Sequence, residues 1–127
     1  MLKPYLFVDQ TQAMGRGVFT REKIPAGTMI EQSPVIVMSL EDRIHIDKTR
    51  LHDYIFEWGK NKDKCCMALG LVPIYNHNYK SNCEYFMDYE DDSIMVKTVR
   101  VVDNGEELTI NYNGDWDNIA KLWFDAK

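Results

Sequence analysis

Apolar residues fall in short runs separated by turn-forming residues, and few of the runs keep a helical period for long. Runs at residues 5–8, 18–21, 28–31 and 35–38 predict strands, with Pro25-Ala26-Gly27 as the turn before the third. Ser39-Leu40-Glu41-Asp42 predicts a helix start, a hydroxyl at the cap and an acid three residues on. Residues 43–51 mix charged and apolar positions, which predicts short helical turns only. Strands follow at 54–58 and 65–69, then a short helix or turn over 70–75. Glu90-Asp91-Asp92 predicts the tip of a hairpin between strands at 84–89 and 93–101. Asp103-Asn104-Gly105 is a turn before a strand at 108–110. Ile119, Leu122 and Trp123 lie at helical spacing, predicting a short helix over 115–124. The pattern is that of a mostly β chain with short helices and no repeat, low-complexity tract or linker.

Composition narrows this further. The 127 residues, 45% of them hydrophobic, suit one domain around one modest core and exclude disorder. No apolar run reaches the roughly 18 residues that would span a bilayer. The opening apolar stretch is broken by Asp9 too early for a signal peptide, so an intracellular protein with no membrane partner is expected. Cys65 and Cys66 are adjacent and Cys83 is distant, an arrangement of reduced thiols rather than of disulfides or a zinc site. His45, His52 and His77 share no ligand spacing, and no metal is expected. The net charge of -5 opposes nucleic acid as the main partner and suits a basic peptide, although such a charge also serves solubility.

Three segments concentrate polar groups where a packed core would avoid them: Gly15-Arg16-Gly17, Tyr75-Asn76-His77-Asn78 and Gly105-Glu106-Glu107-Leu108-Thr109-Ile110-Asn111-Tyr112. Singly, each is ordinary. A Gly-x-Gly is most often a turn, an Asn-His pair a satisfied loop, and a tyrosine at a strand end part of a core. Together and in this order they resemble the SET-domain protein-lysine methyltransferases, in particular the small viral and bacterial proteins that consist of the catalytic domain alone. Asp53-Tyr54-Ile55-Phe56 and Met67-Ala68-Leu69-Gly70 extend the resemblance through the middle of the chain. In the family an Asn-His pair is followed by Ser-Cys-x-Pro-Asn. Here Asn76, His77 and the closing Asn82 match, while Asn78, Tyr79 and Ser81 stand at the Ser, Cys and Pro positions.

The resemblance implies a β-clip SET fold over residues 1–127, with a C-terminal segment threaded through an earlier loop and no zinc-binding segment before or after. It implies transfer of a methyl group from S-adenosylmethionine to the ε-amine of a lysine in a protein or peptide. A histone or histone-like tail is one such substrate, in which case the protein is nuclear, and a homodimer is one assembly. Gly15, Arg16, Gly17, Asn76, His77, Tyr112 and Trp116 are the implied cofactor contacts, Trp116 serving as an aromatic lid. Tyr112 is the implied catalytic residue, and Tyr54 and Tyr75 line the lysine channel. The altered positions 78, 79 and 81 leave a second reading open, a catalytically inactive module that keeps the cofactor or peptide groove. The chemistry needs no strong base. A lysine amine, with a solution pKa of about 10.4, is driven neutral by burial among aromatic rings and by an adjacent positive sulfonium.

Overall fold

In the computed structural model, residues 1–112 are described. Among the described residues nine strands dominate: β1 (Leu6–Gln10), β2 (Arg16–Thr20), β3 (Met29–Met38), β4 (Phe56–Trp58), β5 (Lys64–Ala68), β6 (Asn76–His77), β7 (Cys83–Asp88), β8 (Ser93–Thr98) and β9 (Glu107–Ile110). One α-helix, α1 (Leu40–Ile46), and two 3-10 turns at Arg50–Asp53 and Val72–Ile74 complete them. The mostly β chain with short helices is therefore the architecture found. The helix predicted over 115–124, with Trp116, lies outside the described residues.

The strands form two sheets, ordered β1-β2-β9-β6 and β4-β5-β3-β8-β7. Local chemistry explains several elements directly. Ser39 accepts from the Asp42 amide while the Asp42 side chain accepts from the Ser39 amide, a reciprocal cap that starts α1. At the β7–β8 hairpin, Asp88 Oδ1 accepts the amides of Glu90 and Asp91, and Asp92 takes φ +49° to close the turn.

Two of the predicted strands are one in the structure. Residues 28–31 and 35–38 read as separate runs because Ser33-Pro34 interrupts them, yet β3 is continuous for ten residues. Residues 29–34 pair with β8 and residues 35–38 with β5. Pro34 sits where the strand changes partner, so its missing N–H leaves no rung of either ladder empty. Between the sheets lies the core, with Val18, Ile24, Ile30, Val72, Tyr75, Ile94, Val96, Val102, Leu108 and Ile110 fully enclosed.

The consequence for function is the order β2-β9-β6. Strand β9 runs antiparallel to β2, with Val18 opposite Leu108, and parallel to β6, with Asn76 opposite Thr109 and His77 opposite Ile110. The three polar segments are thus laid side by side.

Candidate active site

Glycine at position 17 is required by space rather than by backbone angle. A Cβ there would collide with the Glu107 carboxylate and stand 2.9 Å from Asn76 Nδ2. Gly15 differs: it takes φ +71°, and a Cβ would meet nothing within 4 Å. Its carbonyl accepts both the Thr11 amide at 2.7 Å and the Thr11 hydroxyl at 2.8 Å, which shapes the preceding loop. Arg16 is exposed and enters the site through its carbonyl, which accepts from Asn76 Nδ2 at 3.0 Å. The second hydrogen of that amide goes to Glu107 Oε2 at 2.8 Å. Asn76 therefore clamps β2 to β9, and its acceptor oxygen is the atom left for a ligand.

His77 is buried, and its Nδ1 accepts the Tyr112 amide at 2.9 Å. That bond fixes the neutral tautomer with its proton on Nε2. Burial also holds the imidazole pKa below its ordinary value, which favours the same neutral form. Nε2 is enclosed and has no hydrogen-bond partner among the described residues. A buried donor without an acceptor is costly, and this one fits a ligand that brings the acceptor. The Tyr79 ring stands edge-on to the imidazole at 4.3 Å, so the residue at the family's cysteine position packs against this histidine.

Tyr112 follows directly after β9. Its hydroxyl donates to the Tyr75 carbonyl at 2.8 Å and its ring lies 5.0 Å from His77. Burial, then the nearby Tyr54, Glu107 and Asp53, push its pKa up to about 12. The phenol is thus protonated throughout the working range, a donor to Tyr75 and an acceptor through its oxygen, and not a general base. Tyr54, at the end of the first 3-10 turn, is 38% exposed and near enough to act on Tyr112 electrostatically.

Tyr75 departs from expectation. Its side chain is fully buried and its hydroxyl donates to Glu31 Oε1 at 2.9 Å, so the ring belongs to the core. The residue reaches the site through its carbonyl alone.

Two further residues went unassigned in the sequence. Glu107 binds Asn76 and closes against Gly17. Asn82 behaves as a strand in miniature: Nδ2 donates to the Glu107 carbonyl at 2.8 Å and to Glu106 Oε2 at 3.1 Å, while Oδ1 accepts the Thr109 amide at 2.8 Å. Its place closing the Asn-His loop was the available signal.

The model of the SET domain family matches residues 15–113. This chain belongs to the SET-domain family. The match takes in every residue from Gly15 to Tyr112 discussed above. This SET domain is also 36% identical, over 126 residues, to a Schizosaccharomyces pombe protein described as a histone-lysine N-methyltransferase, H3 lysine-37 specific, covering 98% of this chain and 80% of that one. In fold it is similar to a crystal structure of a Plasmodium falciparum protein provisionally described as a histone methyltransferase, with TM-score 0.68, 23% identity, and 91% and 98% of the two chains covered. It is similar too to ctPRC2 in an autoinhibited conformation bound to S-adenosylmethionine, with TM-score 0.75 and 19% identity, over 93% of this chain and 16% of that one. The SET domain is an S-adenosylmethionine-dependent protein-lysine methyltransferase domain, and that is the activity of this chain.

Proposed function

We propose that this SET domain methylates a lysine in a histone tail, histone H3 first among the candidates, and that residues 15–17, Asn76, His77 and Tyr112 form the reaction centre. The substrate reading is supported by the likeness to the Schizosaccharomyces pombe enzyme and by the net charge of -5, which complements a basic tail. The residue assignment is carried by one observation: the Tyr112 hydroxyl is held by the Tyr75 carbonyl, and its ring lies 5.0 Å from the imidazole of His77, whose enclosed Nε2–H has no partner among the described residues.

S-adenosylmethionine, when bound, supplies an electrophilic methyl group on a sulfonium. The chain's own residues do the rest. Gly15, the carbonyl of Arg16 and the Asn76 oxygen would hold the cofactor, and it would bring an acceptor to His77 Nε2–H. Tyr54 and Tyr112 enclose the lysine side chain and disfavour its ammonium form. The Tyr112 oxygen would accept from the incoming amine and so orient its nitrogen for methyl transfer. Positioning of this kind is worth about 7–11 kcal/mol in well-oriented systems.

The test is mass spectrometry of recombinant histone H3 incubated with the purified protein and S-adenosylmethionine, beside an unrelated lysine-rich protein. Methylation at defined lysines of H3 is expected. Equal, scattered methylation of both proteins would overturn the histone reading, and methylation of neither would overturn the assignment of the reaction centre.

A further inference from the structure

Glu31 is a carboxylate with no exposure in an otherwise largely apolar core. It is there because β3 bulges. Met29 faces Lys97 and Glu31 faces Val96, so Ile30 is the extra residue, and two successive side chains, Ile30 and Glu31, are both enclosed. Three neutral donors surround the carboxylate. The Ser33 hydroxyl and the Leu71 amide reach Oε2 at 2.6 and 2.8 Å, and the Tyr75 hydroxyl reaches Oε1 at 2.9 Å. Gly70, at φ +67°, is what lets the loop approach, since a Cβ there would collide with Glu31 Oε2 and Ser33 Oγ.

As a stabilising device this is an expensive arrangement, because an apolar residue of similar volume avoids the desolvation cost altogether. Its geometry leads to the reaction centre instead. Tyr75 is held from both ends: Glu31 takes its hydroxyl, and its carbonyl takes the Tyr112 hydroxyl at 2.8 Å. The next two residues are Asn76 and His77. Leu71, also held by Glu31, begins the 3-10 turn that delivers Tyr75.

We propose that Glu31 is a positioning residue for methyl transfer: it anchors the Tyr75 side chain, so that the Tyr75 carbonyl aims the Tyr112 hydroxyl. The inference rests on the assignment of Tyr112 above. Release of the anchor lets the peptide unit at Tyr75 turn, and the Tyr112 oxygen loses its fixed direction. The effect falls on the chemical step rather than on cofactor binding.

Five variants of the whole chain, with single-turnover methylation, S-adenosylmethionine affinity by calorimetry and a thermal melt, decide it. Tyr75→Phe conserves the ring and removes only the anchor, and its methyl-transfer rate is expected to fall about ten- to a hundredfold with cofactor affinity unchanged. Ser33→Ala removes a donor from the other carboxylate oxygen, and is expected to lower the melt while keeping the wild-type rate. Glu31→Gln combined with Tyr75→Phe is expected to be no slower than Glu31→Gln alone, since both act through one link. Wild-type rate in Tyr75→Phe overturns the proposal. So does an equal rate loss in Ser33→Ala, or a Tyr75→Phe chain that does not fold, because the network then only holds the core together. If Tyr112→Phe transfers methyl groups as fast as the wild type, the assignment of Tyr112 has failed and this inference with it. Normal dependence on Tyr112 with an indifferent Tyr75→Phe sinks the inference alone.

Discussion

Single atoms decide the reaction centre. Removing the Tyr112 hydroxyl leaves the ring packed against His77 and the Tyr75 carbonyl without its donor. Tyr112→Phe is therefore expected to cost about 0.5–1.5 kcal/mol in stability, the net worth of one hydrogen bond. The methylation rate is expected to drop about a hundredfold, because the amine loses its guide. Single-turnover mass spectrometry beside a melt separates the two, and a full rate in the variant contradicts the assignment. The two glycines offer a sharper contrast. Gly17→Ala drives a methyl group into Glu107 and Asn76, so it is expected to destabilise by about 1–3 kcal/mol and to weaken S-adenosylmethionine binding. Gly15→Ala meets no atom but carries the left-handed penalty of about 1–2 kcal/mol. Calorimetry should show affinity falling further in Gly17→Ala than its melt alone explains.

At the scale of elements, β9 is the member on which the site depends, and it is only four residues long. It is secured by β2 on one side, and on the other by a two-residue strand, β6, that Asn82 supplements. Asn82→Ala leaves the Thr109 amide and the Glu107 carbonyl without that partner. A loss of about 2–3 kcal/mol is expected from buried groups left unsatisfied. Hydrogen exchange locates the loss: the Thr109 amide is expected to exchange faster than its neighbours on β2, whereas uniform loss of protection would assign Asn82 to the core at large.

The whole molecule sets the pH response. His77 has its folded-state pKa depressed by burial, so the folded protein binds fewer protons there than the unfolded chain. The stability it contributes is complete above the unfolded value of about 6.5 and is lost as pH falls below it. Tyr75 and Tyr112 run the other way. Their raised values, about 12 for Tyr112, give stability that is complete below the unfolded value of about 10 and is lost as pH climbs through the folded ones. Melting temperature against pH should thus show a plateau with both shoulders, and His77→Asn should remove the acid one. Since Tyr112 stays protonated up to about 12, the methylation rate is expected to rise from neutral to mildly alkaline pH with the substrate amine. A falling limb in that range, in folded protein, contradicts a Tyr112 that stays protonated.

The amino-acid sequence by itself determined the class of fold, the hairpin at residues 90–92, the capped start of α1 and the three polar segments that the fold lays side by side. All of these are written in neighbouring residues: a hydroxyl and an acid three apart, an Asp cluster between apolar runs, glycines beside polar motifs. It did not determine what depends on distant partners. The continuity of β3 through Pro34 follows from a change of neighbour at that residue, and the inward turn of Glu31 from a bulge against β8. Period-two reading has no means of registering either, because an extra residue shifts the face of what it joins. Nothing in the residues around Tyr75 announces that its hydroxyl is taken by a buried carboxylate 44 residues away. Only the tertiary structure brings these groups together, since a buried polar atom must take whichever partner the packing puts within reach.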